Sequence, residues 1–181
     1  MVTIEPGDVL LYRGRGLFAW AIRVKTWQPV SHCELANSGA SAFASRSGGV
    51  QTYPIDLDPK RLYAVLRPAW ALDMAAVRRF HSGCVGQRYD WLGVFRFFVL
   101  GKQSQAKQFC SEYVMRLLRV GGLEPFTPHT DADLVAPGQF LMSPNLTCVW
   151  RKDAELAEAG PSDGSRVPPL AAAGTRPPQE D

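Results

Sequence analysis

No two of the four cysteines are spaced as Cys-x-x-Cys, and none has a histidine at zinc-finger spacing. A structural metal is therefore not expected. Only Cys33 adjoins a histidine, and successive residues of a strand point to opposite faces. Long apolar runs are missing too. The most apolar stretch, Trp91 to Leu100, is interrupted by Arg96, whereas a spanning helix needs about twenty apolar residues; it reads as a buried core helix. There is no dense Lys/Arg block, so no specific nucleic-acid partner is expected. Gly14 and Gly16 lack the Lys-Ser/Thr that completes a phosphate loop. Met1 to Asp8 is short, acidic and ends in Pro-Gly-Asp, unlike a secretory signal. The expectation is a cytoplasmic setting with reduced thiols. No internal repeat is visible.

What is present suits one globular domain with a tail. The chain has 181 residues, 46% hydrophobic and 20% charged, enough to bury a core. The formal charge of +3 is uneven. From Ala154 onward there are five acids (Glu155, Glu158, Asp163, Glu180, Asp181) and two bases (Arg166, Arg176). That stretch is −3 and the body +6, a mild excess that suits a polyanionic partner such as a lipid headgroup, a cell-wall polymer or nucleic acid. After Asp153 the composition turns to Ala, Pro, Gly, Ser and Glu, which cannot offset ordering entropy. The division is a folded domain over residues 1–153 and a disordered acidic tail over 154–181.

Within the domain, the Pro6-Gly7-Asp8 turn launches a strand over Val9 to Tyr12. Leu17, Trp20, Ala21 and Val24 recur at helical spacing over Leu17 to Thr26. Pro29 forces extension into a strand from Ser31 to Ala36, and Asn37-Ser38-Gly39 turns it back through Ser41 to Ser45. Short strands are expected at Val50 to Tyr53, Arg61 to Arg67, Phe140 to Met142 and Thr147 to Trp150. Asp73 caps a helix to about His81, closed by Gly83. Asp90 caps the aromatic helix Trp91 to Leu100, and a third helix carries Cys110, Val114, Leu117 and Leu118 up to Gly121-Gly122. The pattern is α+β, a small antiparallel sheet packed against helices.

Two residues carry chemistry. A thiol near a helix start gains acidity from unpaired backbone amides, and Cys110 follows the polar run Gln103 to Gln108. His32, on a strand, would serve as its base. The competing reading is a packing cysteine at i, i+4, i+7 with Val114 and Leu117, and a structural histidine. Tyr12 and Tyr89 suit cleft-lining or oxyanion-binding roles, and equally packing. Trp20, Trp27, Trp70 and Trp91 suit an acyl or peptide groove, with core packing the default. His81 falls at a helix end, where an imidazolium complements the dipole; His129 lies in an exposed loop.

In order along the chain come Gly7-Asp8-Val9-Leu10, Ser31-His32-Cys33-Glu34-Leu35, Gly48-Gly49-Val50, Gly86-Gln87-Arg88-Tyr89-Asp90 and Phe109-Cys110-Ser111-Glu112-Tyr113-Val114. This set resembles the circularly permuted NlpC-type papain-like cysteine hydrolases, the YiiX-like group, including versions carried by phages and prophages. The resemblance covers about Pro6 to Trp150. It implies a permuted papain-like fold, Cys110 as nucleophile and His32 as base, and hydrolysis of an amide in a peptide or cell-wall peptide without a cofactor. Related permuted enzymes act as acyltransferases or phospholipases on lipid acyl groups, and a non-catalytic phage assembly or binding module is the remaining alternative. In relatives a polar residue on the next strand orients the imidazole. Here only Ser45 is polar near that position, a departure from the usual His or Glu. Glu34, two residues beyond His32 on the same strand face, is the other candidate; an exposed glutamate paired with Arg46 is its plainer reading.

Overall fold

The structure is a computed structural model that describes residues 2–14, 16–87 and 110–153. Its elements in chain order are β1 (Val9–Tyr12), α1 (Leu17–Thr26), β2 (His32–Ala36), β3 (Ser41–Arg46), β4 (Gly49–Pro54), β5 (Leu62–Pro68), α2 (Met74–Cys84), α3 (Cys110–Val120), two 3-10 turns (Ala132–Leu134 and Pro137–Met142) and β6 (Leu146–Arg151). The strands form one sheet in the order β4-β3-β2-β1-β5-β6, every neighbour antiparallel. This is the α+β arrangement the alternating patterns imply. The tail at 154–181, the helix at Trp91 to Leu100 and Tyr89 lie outside the described residues.

Alternation along the strands separates two apolar layers. Val9, Leu11, Cys33, Leu35, Phe43 and Leu66 share a core with α2 and α3. Leu10, Tyr12, Ala36, Ala42, Leu62 and Val65 pack on the reverse face with Ile4. Helix α3 turns Cys110, Val114, Leu117 and Leu118 inward, the spacing of one helical face. Asp73 caps α2 by accepting from the Ala76 N–H at 2.9 Å. The helix runs through Gly83 to Cys84, one turn past its expected end near His81. Asp8, fully buried, accepts from Arg67 Nε at 2.9 Å and ties the chain's start to β5.

Helix α1 crosses from the end of β1 to the start of β2, where the base candidate sits. A Cβ on Gly14 would lie 2.8 Å from Ala19 Cβ and 2.9 Å from Ser31 Oγ. The missing side chain is what lets α1 seat against the residue preceding His32, and the Gly14 N–H donates to Ser31 Oγ at 2.8 Å. Among the described residues no helix is long and apolar enough to cross a membrane.

Two expectations are corrected. Phe140 to Met142 belongs to a 3-10 turn rather than a strand: Pro137 opens it, and Gln139 Oε1 accepts from the Ala136 N–H at 2.6 Å, which coils the backbone locally. Trp20, Trp27 and Trp70 do not pack in the core, being 56%, 92% and 49% exposed, and Trp91 lies outside the described residues.

Candidate active site

The middle of the sheet brings the two predicted groups together. β2 lies between β1 and β3, with Tyr12 across from His32 and Leu10 across from Glu34. The β2–β3 ladder covers only Leu35–Phe43 and Ala36–Ala42, stopping short of the His32 end. At that end the Cys33 thiol, the His32 ring and the Cys33 backbone N–H are the groups that bear on the Cys110 thiol. All three come from β2. Cys110 is 4% exposed, while the His32 ring is 19% exposed and the more open of the two.

Glu34 occupies the third position. Its Oε1 lies 2.9 Å from His32 Nε2, so Nδ1 is the ring nitrogen left free of the carboxylate. The same oxygen accepts from Arg46 Nε at 2.6 Å and Arg46 Nη2 at 2.5 Å. Glu34 thus bonds His32 and pairs with Arg46 at once, and it is fully buried, where the plainer sequence reading had an exposed strand glutamate. Arg46 in turn rests over the Tyr53 ring, 4.4 Å from its centroid. Glu34 Oε2 has no partner among the described residues.

Electrostatics follow from this packing. Burial alone would pull the His32 ring down. The Cys110 sulfur and then Glu34 outweigh it, and the ring is pushed up to about 9. Cys110 is held well below the usual thiol range, first by the Cys33 hydrogen bond and then, against burial, by His32. Burial and the neighbouring sulfur push Cys33 well above it, so Cys33 stays a thiol donor and Cys110 takes the charge. Burial would raise Glu34, but His32 and Arg46 bring it below the usual carboxylate value. The shifts run in opposite directions, lowering the Cys110 thiol and raising the His32 ring, the sense in which a neighbouring imidazole favours a thiolate.

The other residues singled out fall elsewhere. Tyr12 shares the His32 face, ring centroids 6.2 Å apart, but is 2% exposed, and its hydroxyl has no hydrogen-bond partner among the described residues. Ser45 is buried on β3 opposite Val50, on the Phe43 face of the sheet, away from Glu34. His81 corrects an expectation. It is no solvated imidazolium at a helix end but a buried ring stacked on Phe43 at 4.1 Å, bonded to the Tyr113 hydroxyl and to Thr52 Oγ1 at 3.0 Å. Burial lowers its proton affinity, which keeps it neutral. All four cysteines are free. Cys33 is the residue sequence reasoning passed over. Alternation correctly put it on the face opposite His32, and that is the face on which Cys110 arrives.

No family model and no curated protein matches the chain. Among solved structures, the chain is similar to metalloprotein YiiX from Escherichia coli O157:H7, with a TM-score of 0.62 at 20% identity. The match covers 83% of this chain and 98% of that one. At that identity the likeness speaks for the fold: a YiiX-like antiparallel sheet with few helices.

Proposed function

We propose that this protein is a thiol hydrolase of the permuted papain-like kind, opening an amide carbonyl in a peptide or cell-wall peptide. The single observation that carries the reading is the Cys110–His32–Glu34 array, with the thiol lowered and the imidazole raised. The Cys110 thiolate attacks the carbonyl carbon, and backbone N–H groups in the first turn of α3 face the developing oxyanion. His32, already protonated, gives its proton to the leaving amine as the C–N bond breaks, leaving a thioester on Cys110. The neutral ring then takes a proton from water, the resulting hydroxide equivalent attacks the thioester, and carboxylic acid and thiolate are released. Glu34 holds the ring through Nε2 across both steps.

The fold neighbour is named a metalloprotein. Among the described residues of this chain, no group of three or more His, Cys, Asp or Glu is disposed to hold a metal ion. One observation favours a second substrate class, a lipid acyl ester or amide: the exposed tryptophans of α1, close in the chain to His32.

Iodoacetamide tests the array. Cys110 should alkylate stoichiometrically near neutral pH, about a hundredfold faster than the same thiol in urea, and His32→Ala should abolish that advantage. Equal rates in the folded and denatured chain would overturn the hydrolase reading. Mass analysis after incubation with wall peptides and with short-chain phospholipids then separates the two substrate classes.

A further inference from the structure

The solvent side of α1 is built the wrong way round for a helix that only packs on its own sheet. Trp20, Val24 and Trp27 stand at i, i+4 and i+7, one helical stripe, and they are 56%, 50% and 92% exposed. Among the described side chains of the helix, the small residue Ala19 is the buried one, beside Gly14 and Ser31. Exposed apolar side chains scattered singly are ordinary, but a stripe with an indole at each end is not.

Trp27 sits at the helix end in the left-handed region, φ 52 and ψ 32. Its N–H donates to the Val24 carbonyl at 3.4 Å, and the next N–H, of Gln28, donates to Arg23 O at 3.2 Å. That hydrogen-bond pattern normally carries glycine at the left-handed position. A bulky residue is strained there, so the backbone does not account for the indole, and at 92% exposure it has no packing role among the described residues.

Charge identifies the occupant. From Val9 to Cys33 the sequence contains four bases, Arg13, Arg15, Arg23 and Lys25, and no acid, although the whole chain has 17 acids. Arg13 is exposed, and Arg23 lies between the two tryptophans in the helix, one turn from each. Indoles at the boundary of an apolar stripe, with bases beside them, match the headgroup region of a bilayer, where the ring is half-immersed and the base meets phosphate.

We propose that α1 is a docking face that seats this protein on an anionic membrane surface, lying in the interface rather than crossing it. The proposal does not depend on the hydrolase reading, because binding needs no reaction at Cys110. If that reading also holds, docking brings the His32 end of the sheet to the lipid surface, since five residues after Trp27 the chain reaches His32.

The test is co-sedimentation of the full chain with vesicles of equal parts phosphatidylglycerol and phosphatidylcholine, and with phosphatidylcholine alone. Wild type should bind the mixed vesicles and bind the neutral ones about tenfold more weakly. Trp20→Ala with Trp27→Ala should weaken binding to the mixed vesicles about tenfold or more. Arg23→Glu should weaken it only where anionic lipid is present. The iodoacetamide rate at Cys110 should be unchanged in these variants, which shows that the fold survives. Absence of wild-type binding, or equal binding by the double-tryptophan variant, overturns the proposal. So does concentration-dependent self-association that vanishes in that variant while vesicles are ignored, because the stripe would then be covered by a second copy.

Discussion

Around the Cys110 sulfur, three side chains divide the electrostatic work, and each makes a distinct signature when changed. Glu34→Gln removes the carboxylate that supports the raised His32 ring. Catalysis should fall about a hundredfold, and the basic limb of the activity profile, set by a ring pushed up to about 9, should move to lower pH. Cys33→Ala removes the thiol donor first among the influences that lower Cys110. Its alkylation profile should shift upward in pH while the rate in alkali stays near wild type. Stability is a poor reporter of the same pair. The raised His32 stabilises the fold fully below its ordinary value of 6.5 and loses that contribution as pH climbs through about 9. The lowered Cys110 contributes in the opposite sense, fully above its ordinary value and lost as pH falls through its folded one. The two largely offset between those limits, so pH-dependent alkylation is the measurement to make.

Among the elements, strands and helices with strong periodicity were legible in the sequence, because their signals are local. β1 and α1 have the bounds their hydrophobic spacing predicts, the Asn37-Ser38-Gly39 turn sets the β2–β3 hairpin, and Asp73 caps α2. What failed depended on tertiary context. Phe140 to Met142 reads as a strand by composition, yet a proline and a glutamine side chain coil it. His81 lies at a helix end in sequence, but Phe43, Thr52 and Tyr113, from three other elements, enclose it. Glu34 and its partner Arg46 were both legible as candidates while the burial of Glu34 was not, since an ion pair read from sequence does not say how deep its carboxylate lies. The tryptophans of α1 fit the spacing of a core stripe, and spacing does not say which way a stripe faces. At the end of that helix, Trp27→Gly should raise stability by about 1 kcal/mol by relieving the left-handed backbone. The same change removes an indole from the exposed face, so a higher urea midpoint together with weaker vesicle binding is the expected pair of results.

For the molecule as a whole, the site is a product of long-range assembly. His32 and Glu34 come from the second strand, Arg46 from the third, and Cys110 from a helix far later in the chain. The ordered motifs made this pairing legible as a resemblance, and the YiiX-like fold agrees with it at the level of architecture. Since no part of the site is complete within one hairpin or helix, its reactivity should disappear with the fold itself. In a urea titration the rapid alkylation of Cys110 should fall along the same transition as far-UV circular dichroism, whereas exposed Cys148 should react at every urea concentration. Loss of Cys110 reactivity well before the circular dichroism change would instead point to local opening at α3.

The separation of base and nucleophile along the chain has a consequence for biosynthesis. A ribosome delivers β1 to β5 before α3, so a growing polypeptide presents an imidazole and carboxylate with no partnered sulfur. Cys33 is by then available, but it is the thiol that the finished packing keeps protonated. The proposed array is therefore assembled only when the later helix leaves the exit tunnel and docks, and a translation product truncated before Cys110 lacks its sulfur.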